Sequence, residues 1–336
     1  MFNKSTLLLL FVALFATTAA FAQPSKDEAD KLKKTSSETP EGWATGGSLG
    51  LNLLHLLISN PFASGGDNKL GVGGNTGAFA NYKQGRFLWT NNAGIRYDVQ
   101  RVGRKLNPDD IIPFTKNIDE LSLNSKAGYQ IDNEGKWYVS GLLDFRTQLT
   151  PTYAGNLLNK PTDDAAPISK FLAPAQLGFG PGIDYVHDQH WWVFYSPASL
   201  KLYIVADQDI ANLYDPTTKK SLYGNNFDSL TLKGDAIGLQ LGSNLRTQYS
   251  NKYLEDKLVL TTGLDLYYDY LHRDKGLDVD WTVNVLYNIW KGLGIGVQTR
   301  LNLDKDLLRV RTSDGTTSFD VPHYSQQFNI TYSTTF

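Results

Sequence analysis

Five histidines limit the imidazole chemistry available to this chain, and His323, two residues before Ser325, is the one best placed beside a nucleophile. A serine nucleophile needs a base within hydrogen-bond reach and a third group to orient that base. His187 and His190 fall in a predicted short turn, and His55, His272 and His323 lie toward the opposite ends of predicted strands. Residues 323 and 325 share one face of a strand, the polar one, whereas a lipid hydrolase or acyltransferase would need access from a bilayer. The pair is therefore read as structural, and no catalytic residue is assigned. Asp278 and Asp280, with Asp269 across a predicted hairpin, pose a second question, because calcium takes several carboxylate oxygens. A solvated acidic rim explains them equally well, so no metal site is assigned. The stretch Gly71-Val-Gly-Gly-Asn-Thr-Gly77 mimics a nucleotide loop. It lacks the Lys-Ser/Thr of such loops and falls within a predicted strand, where small residues admit close neighbours. Zinc-ligand spacings are absent, and with no cysteine there is no disulfide, thiol chemistry or lipoprotein anchor. No cofactor is expected.

A larger set of ionisable residues shares one strand parity: Arg96 and Asp98, Lys126, Asp144 and Arg146, Lys201, Arg246, Asp265 and Asp269, Asp278 and Asp280, Arg300 and Asp304. Lining a lumen, they would select small polar or charged solutes. Paired with one another, they would fill the interior. The formal net charge of −2 implies no nucleic-acid partner.

The elements that must position these groups are strands. Aromatics make up 12% of the chain, with 18 Tyr and 30 Gly, a mixture that suits a pleated surface better than a helix. In 323–336, Tyr324, Phe328, Ile330, Tyr332 and Phe336 alternate with Ser325, Gln327, Asn329, Thr331, Ser333 and Thr335, a period of two with one apolar and one polar face. About twelve such runs occur, near 43–57, 69–83, 86–101, 119–131, 137–150, 170–186, 190–205, 234–249, 257–270, 277–290, 293–304 and 323–336. Most reach the roughly 9–11 residues that a tilted membrane strand requires. Short connections at 83–86, 132–136, 187–190 and 291–292 alternate with long ones near 103–118, 151–169, 206–233 and 305–322. Outer-membrane barrels show the same alternation, with short periplasmic turns facing long external loops. Trp43, Trp89, Trp137, Trp191, Trp192 and Trp290 lie near the short-turn side and Trp281 nearer the other, which predicts an aromatic girdle at one lipid–water interface. A soluble sandwich or propeller would use shorter strands and gives no reason for that clustering.

Residues 1–22 read as a cleaved secretory signal: Lys4, then apolar Leu7 to Phe15, then Ala20-Phe21-Ala22, leaving Gln23 first. The apolar run falls short of the roughly 20 residues of a spanning helix. Pro24 to Gly42 is polar and without aromatics, and is expected to be a flexible periplasmic leader. An aromatic ending to the last strand, with Tyr332 and Phe336, resembles the signal read by the barrel-insertion machinery.

The stretches Trp43-Ala-Thr-Gly-Gly-Ser-Leu-Gly-Leu-Asn52, Ala63-Ser-Gly-Gly-Asp-Asn68, Phe79-Ala-Asn-Tyr-Lys-Gln-Gly-Arg86, Lys136-Trp-Tyr-Val-Ser-Gly141, Phe145-Arg-Thr-Gln148, Phe171-Leu-Ala-Pro174, Ser196-Pro197 and Val279-Asp-Trp281 resemble a Bacteroidota outer-membrane family catalogued as a domain of unknown function (family 3078). The resemblance spans nearly all of Trp43 to Phe336. Pro61-Phe62 departs from it, where a Trp is expected. It implies a barrel and supplies no substrate or catalytic residue.

The expectation is an all-β, closed antiparallel transmembrane β-barrel of about twelve strands over residues 43–336, in the outer membrane and in contact with its lipids. It is expected to act without enzymatic activity, as a narrow pore for a small polar solute or as a structural or accessory barrel. An outer-membrane lipid hydrolase or acyltransferase is one alternative. A subunit of a larger envelope complex, docking through residues 24–42 or the 206–233 loop, is another.

Overall fold

The computed structural model describes residues 41–56, 69–103, 112–216, 219–272, 276–290, 293–303, 309–310, 317–318 and 323–335. The predicted signal and nearly all of the predicted leader lie outside these residues, as do Asp304 and Phe336.

Twelve long strands form one antiparallel sheet: β1 (Gly42–Leu56), β2 (Lys69–Gln84), β3 (Phe87–Val102), β4 (Thr115–Gln130), β5 (Trp137–Thr147), β6 (Ala175–Val186), β7 (Trp191–Ile204), β10 (Ile237–Tyr253), β11 (Leu258–Asp269), β12 (Leu277–Trp290), β13 (Leu293–Leu303) and β16 (His323–Thr335). The pairs β8 (Phe227–Asp228) with β9 (Lys233–Gly234), and β14 (Arg309–Val310) with β15 (Thr317–Ser318), are small separate hairpins. Each long strand pairs with its neighbours along the sheet. The sheet closes where Ser48–Leu53 of β1 pairs with Ile330–Thr335 of β16, so neither of these strands leaves an edge. Among the described residues no helix is long and apolar enough to cross a membrane.

Alternation sets the two faces. Along β3, the even-numbered Leu88, Thr90 and Asp98 are buried while Phe87 and Trp89 are exposed. Along β12, Leu277, Trp281, Val285, Tyr287 and Ile289 are exposed on one parity, and the other parity carries Asp278, Asp280, Thr282 and Asn284. The face that is apolar is therefore the outer one, the reverse of a water-soluble barrel.

One bulge resets this parity. Between the pairs Tyr195↔Ile183 and Leu200↔Phe179, β7 spends one residue more than β6, and the same offset recurs against β10. Pro197 lies in this stretch and has no N–H to give to a ladder. Beyond it the inward positions of β7 pass from Phe194 and Ser196 to Ser199, Lys201 and Tyr203. Ser196 holds the gap by donating to the Pro181 carbonyl at 2.7 Å.

At the short-turn end the outward rings form a partial girdle. Trp43 contacts Tyr82 and Trp89, and a second chain runs Trp137, Tyr185, His187, Trp191. The indole N–H of Trp89 donates to Ser125 Oγ at 2.9 Å, and that of Trp191 to Thr247 Oγ1 at 2.8 Å. Trp192 departs from the predicted girdle. Its parity turns it inward, where it packs with Leu88, Tyr138 and Val186 as an apolar cluster inside the short-turn mouth.

At the opposite end, two connections expected as plain loops are folded together. Residues 205–236 carry the short helix α1 (Gln208–Ala211), capped by Asp207, and Val205, Ile210 and Ala211 form a small core with Ala173. Lys170 pairs with Asp207 at 2.5 Å, and the Tyr223 hydroxyl donates to the Ile168 carbonyl. Strand β4 starts four residues earlier than predicted, and its end pins the same cap. Lys116 Nζ binds Asp119 at 2.7 Å and the Thr150 and Pro151 carbonyls, while Asp119 accepts the N–H groups of Leu149 and Thr150.

Candidate functional site

Inside the sheet the predicted polar residues converge on a belt of ion pairs. Arg246 on β10 donates from Nη1 and Nη2 to both oxygens of Asp144 on β5, at 2.6 and 2.9 Å. Its Nε also lies 2.7 Å from Asp265 of β11, an ion pair too oblique to count as a hydrogen bond. Bidentate guanidinium–carboxylate geometry is the strongest form such a contact takes. Arg300 on β13 makes the same two-pronged contact with Asp280 on β12, its Nε donating at 2.8 Å. Arg146 lies 3.5 Å from Glu120 of β4.

Register explains why two arginines are needed. Asp265 and Asp280 stand directly opposite each other on neighbouring strands. Like charges in that position repel, and Arg246 on one side and Arg300 on the other neutralise them. Asn244 adds a hydrogen bond from its amide to Asp265. Gly178 makes room for the first clamp, because a Cβ there would fall 2.9 Å from Asp144 Oδ2.

The belt divides the interior. On the short-turn side lies a cavity of about 360 Å³ bordered by Trp192, Gln248, Gln298 and Thr282. On the long-loop side lies one of about 180 Å³ bordered by Lys201, Asp278, Asn302 and Tyr267. Arg146, Arg246, Asp265, Asp280 and Arg300 line both. Arg146 on β5 and Arg300 on β13 are six strands apart in a ring of twelve, on facing walls, yet they border the same two spaces. The lumen is therefore narrow at this level. Its charge is balanced there: Arg96, Arg146, Arg246 and Arg300 face Glu120, Asp144, Asp265 and Asp280.

The other predicted residues pair away from this belt. Lys126 binds Asp184 at 2.8 Å and lies 4.8 Å above the Trp192 ring, beside the apolar cluster of the short-turn mouth. Asp98 sits opposite Gly73, and a Cβ on Gly73 would fall 1.5 Å from Asp98 Oδ1, so the glycine-rich stretch of β2 admits a close neighbour. The three carboxylates weighed as a calcium site do not converge. Asp269 pairs with His272 at 2.7 Å, Asp278 with Lys201 at 3.5 Å, and Asp280 with Arg300. Among the described residues no group of three metal-ligating side chains occurs.

His323 and Ser325 lie on β16 opposite Asn302 and Arg300, and their side chains fall outside the described residues. So does the side chain of Tyr332, whose backbone pairs with Leu51 and Leu293. Sequence reasoning missed Asp184, Glu120 and Lys116. Asp184 and Glu120 had the signal that found the others, a charge on the polar parity of a strand, whereas Lys116 fell in a stretch expected as a connection.

A family described as "Protein of unknown function (DUF3078)" matches residues 53–153. No curated protein matches the chain. Among solved structures, the COG4313 outer membrane channel from Pseudomonas putida F1 is similar at 11% identity over 88% of this chain and 96% of that one, with a TM-score of 0.43. The translocator domain of the autotransporter NalP from Neisseria meningitidis aligns at 10% identity over 94% of this chain and 99% of that one, with a TM-score of 0.35. The outer membrane channel DcaP of Acinetobacter baumannii aligns at 9% identity over 90% and 99%, with a TM-score of 0.34.

Proposed function

We propose that the chain is an integral outer-membrane barrel that acts as a narrow, charge-balanced pore for small polar solutes. The outward face supports membrane residence. Leu51, Leu53, Leu143, Phe179, Ile183, Leu239, Val285, Ile295, Phe328 and Ile330, all exposed, come from strands around the sheet and suit acyl chains. Such a surface in water would be one continuous apolar patch. In hydrocarbon every backbone polar group must be paired, and a sheet whose first strand pairs with its last meets that demand.

The observation that carries the pore reading is the belt itself. Two polar cavities lie in series and share five charged residues, so a solute crossing the interior meets one constriction made of ion pairs. Equal numbers of cations and anions there favour small solutes of no strong net charge over either kind of ion.

Planar-bilayer recording of the mature protein tests this reading. Wild-type protein is expected to give a small conductance with weak preference between potassium and chloride, and Arg246→Met a larger one. Silent bilayers from both proteins, each verified as folded by heat-modifiable gel mobility, would remove the pore and leave a structural barrel.

A further inference from the structure

The cavity on the long-loop side combines a cation and an anion at a spacing that suits one chemical class. Lys201 of β7 and Asp278 of β12 border the vestibule as an ion pair, with Nζ and Oδ2 3.5 Å apart. Of the other interior pairs, Arg246 with Asp144 and Lys126 with Asp184 close to 2.6 and 2.8 Å, while Arg146 and Glu120 also stand 3.5 Å apart. Lys201 is held in place by the Tyr267 ring, 3.6 Å from its ammonium, and Tyr267 is itself buried with its hydroxyl donating to the Ser199 carbonyl at 3.3 Å. An ammonium carries three donors, and the ring face uses none as a conventional hydrogen bond. The rest of the wall supplies amides, Asn124, Gln176, Asn244 and Asn302.

We infer that this vestibule is a binding site for a small zwitterion, of the α-amino acid class. The inference rests on the pore reading for its orientation toward the outside, not for its chemistry. A lone carboxylate entering here would meet Asp278 and Asp280, and a lone ammonium would meet Lys201 and Arg300. A molecule that carries both charges on neighbouring atoms places its carboxylate on Lys201 and its ammonium on Asp278, a head-to-tail square of four charges. At about 180 Å³ the space holds roughly six waters' worth of ligand, the scale of a single small amino acid. Partial enclosure matters, because the same square in bulk water would be screened.

Equilibrium binding to the full mature protein in detergent reads the site without any need for conduction. The probes are alanine, acetate, methylammonium and glucose, with the variants Lys201→Met and Asp278→Asn. Lys201→Met keeps an unbranched stem against Tyr267, and Lys201→Arg serves as a conservative control that retains the cation. Alanine is expected to bind saturably, at least tenfold more weakly in Lys201→Met and in Asp278→Asn, with acetate and methylammonium failing to saturate. Glucose binding as tightly as alanine would overturn the assignment, as would alanine binding unchanged in both variants or no saturable binding at all. Conductance without alanine binding removes the site and spares the pore, and alanine binding with silent bilayers does the reverse.

Discussion

Arg246 and Asp144 are 102 positions apart in the chain, yet the guanidinium grips both carboxylate oxygens at 2.6 and 2.9 Å across three strand steps of the wall. The same arginine neutralises Asp265, whose register partner is a second aspartate, Asp280. One side chain therefore pairs with two carboxylates while narrowing the interior.

Removing that side chain is expected to leave Asp144 and Asp265 facing each other without a cation, with Asp280 still held by Arg300. Breaking a buried pair from one side costs about 3–5 kcal/mol. The partial exposure of these carboxylates reduces this to about 2 kcal/mol. Arg246→Met should lower the temperature at which the heat-modifiable gel band is lost, and Asp144→Asn combined with Asp265→Asn should recover part of it. An unchanged transition in Arg246→Met would show that the clamp is ornamental.

Trp191 and Trp192 are neighbours with opposite surroundings. Trp191 faces outward and donates to Thr247, while Trp192 lies inside with Lys126 above its ring. Single-tryptophan variants in vesicles of brominated phospholipid should separate them: the Trp191 fluorescence is strongly quenched and the Trp192 fluorescence largely spared. Equal quenching would place both rings in lipid.

Gly73 has no room for a methyl group beside Asp98. Gly73→Ala is expected to destabilise the barrel by about 1–3 kcal/mol through overpacking, measured by urea unfolding in lipid. Asp98→Ala in the same protein should restore much of the loss. A lack of restoration would mean that the cost lies in the β2 backbone.

The cap on the long-loop side responds to acid. The Lys170 ammonium, hydrogen-bonded to Asp207, and the Ile210 N–H hold the Asp207 carboxyl below its ordinary 3.8. A carboxyl lowered by folding contributes stability that is complete above the unfolded value and fades as pH falls through the folded one. Pepsin should therefore cut residues 205–236 faster only below about pH 3.8 in wild type, whereas Asp207→Asn should loosen the cap at every pH. Burial pushes the Tyr223 hydroxyl in the same cap up to about 12. That contribution is complete below pH 10 and is lost as pH rises through the folded value, so alkali should open the cap only at the far end of the scale.

Alternation made much of this architecture legible. Arg96, Lys126, Asp144, Arg246 and Arg300 were placed on the polar face from parity alone, because a strand gives successive side chains to opposite faces whatever else the chain does. Two positions needed more than a simple count along the strand. Trp192 follows Trp191 directly, and composition suggested a girdle where the pleat requires one ring on each side. The bulge at Pro197 adds a residue that no local pattern announces, and Lys201 beyond it faces inward, as expected of it, on the opposite numbering parity from Phe194.

Sequence alone determined the strands, their faces and the alternation of short and long connections, since those follow from side-chain period and turn length. Only the tertiary structure decided which charges meet. Arg246 could have reached any carboxylate on the inner wall, and the closure of β1 on β16, with the offsets between strands, chose Asp144 and Asp265. Pairing across a lumen depends on distances between chain segments a hundred residues apart, and no local pattern encodes those distances.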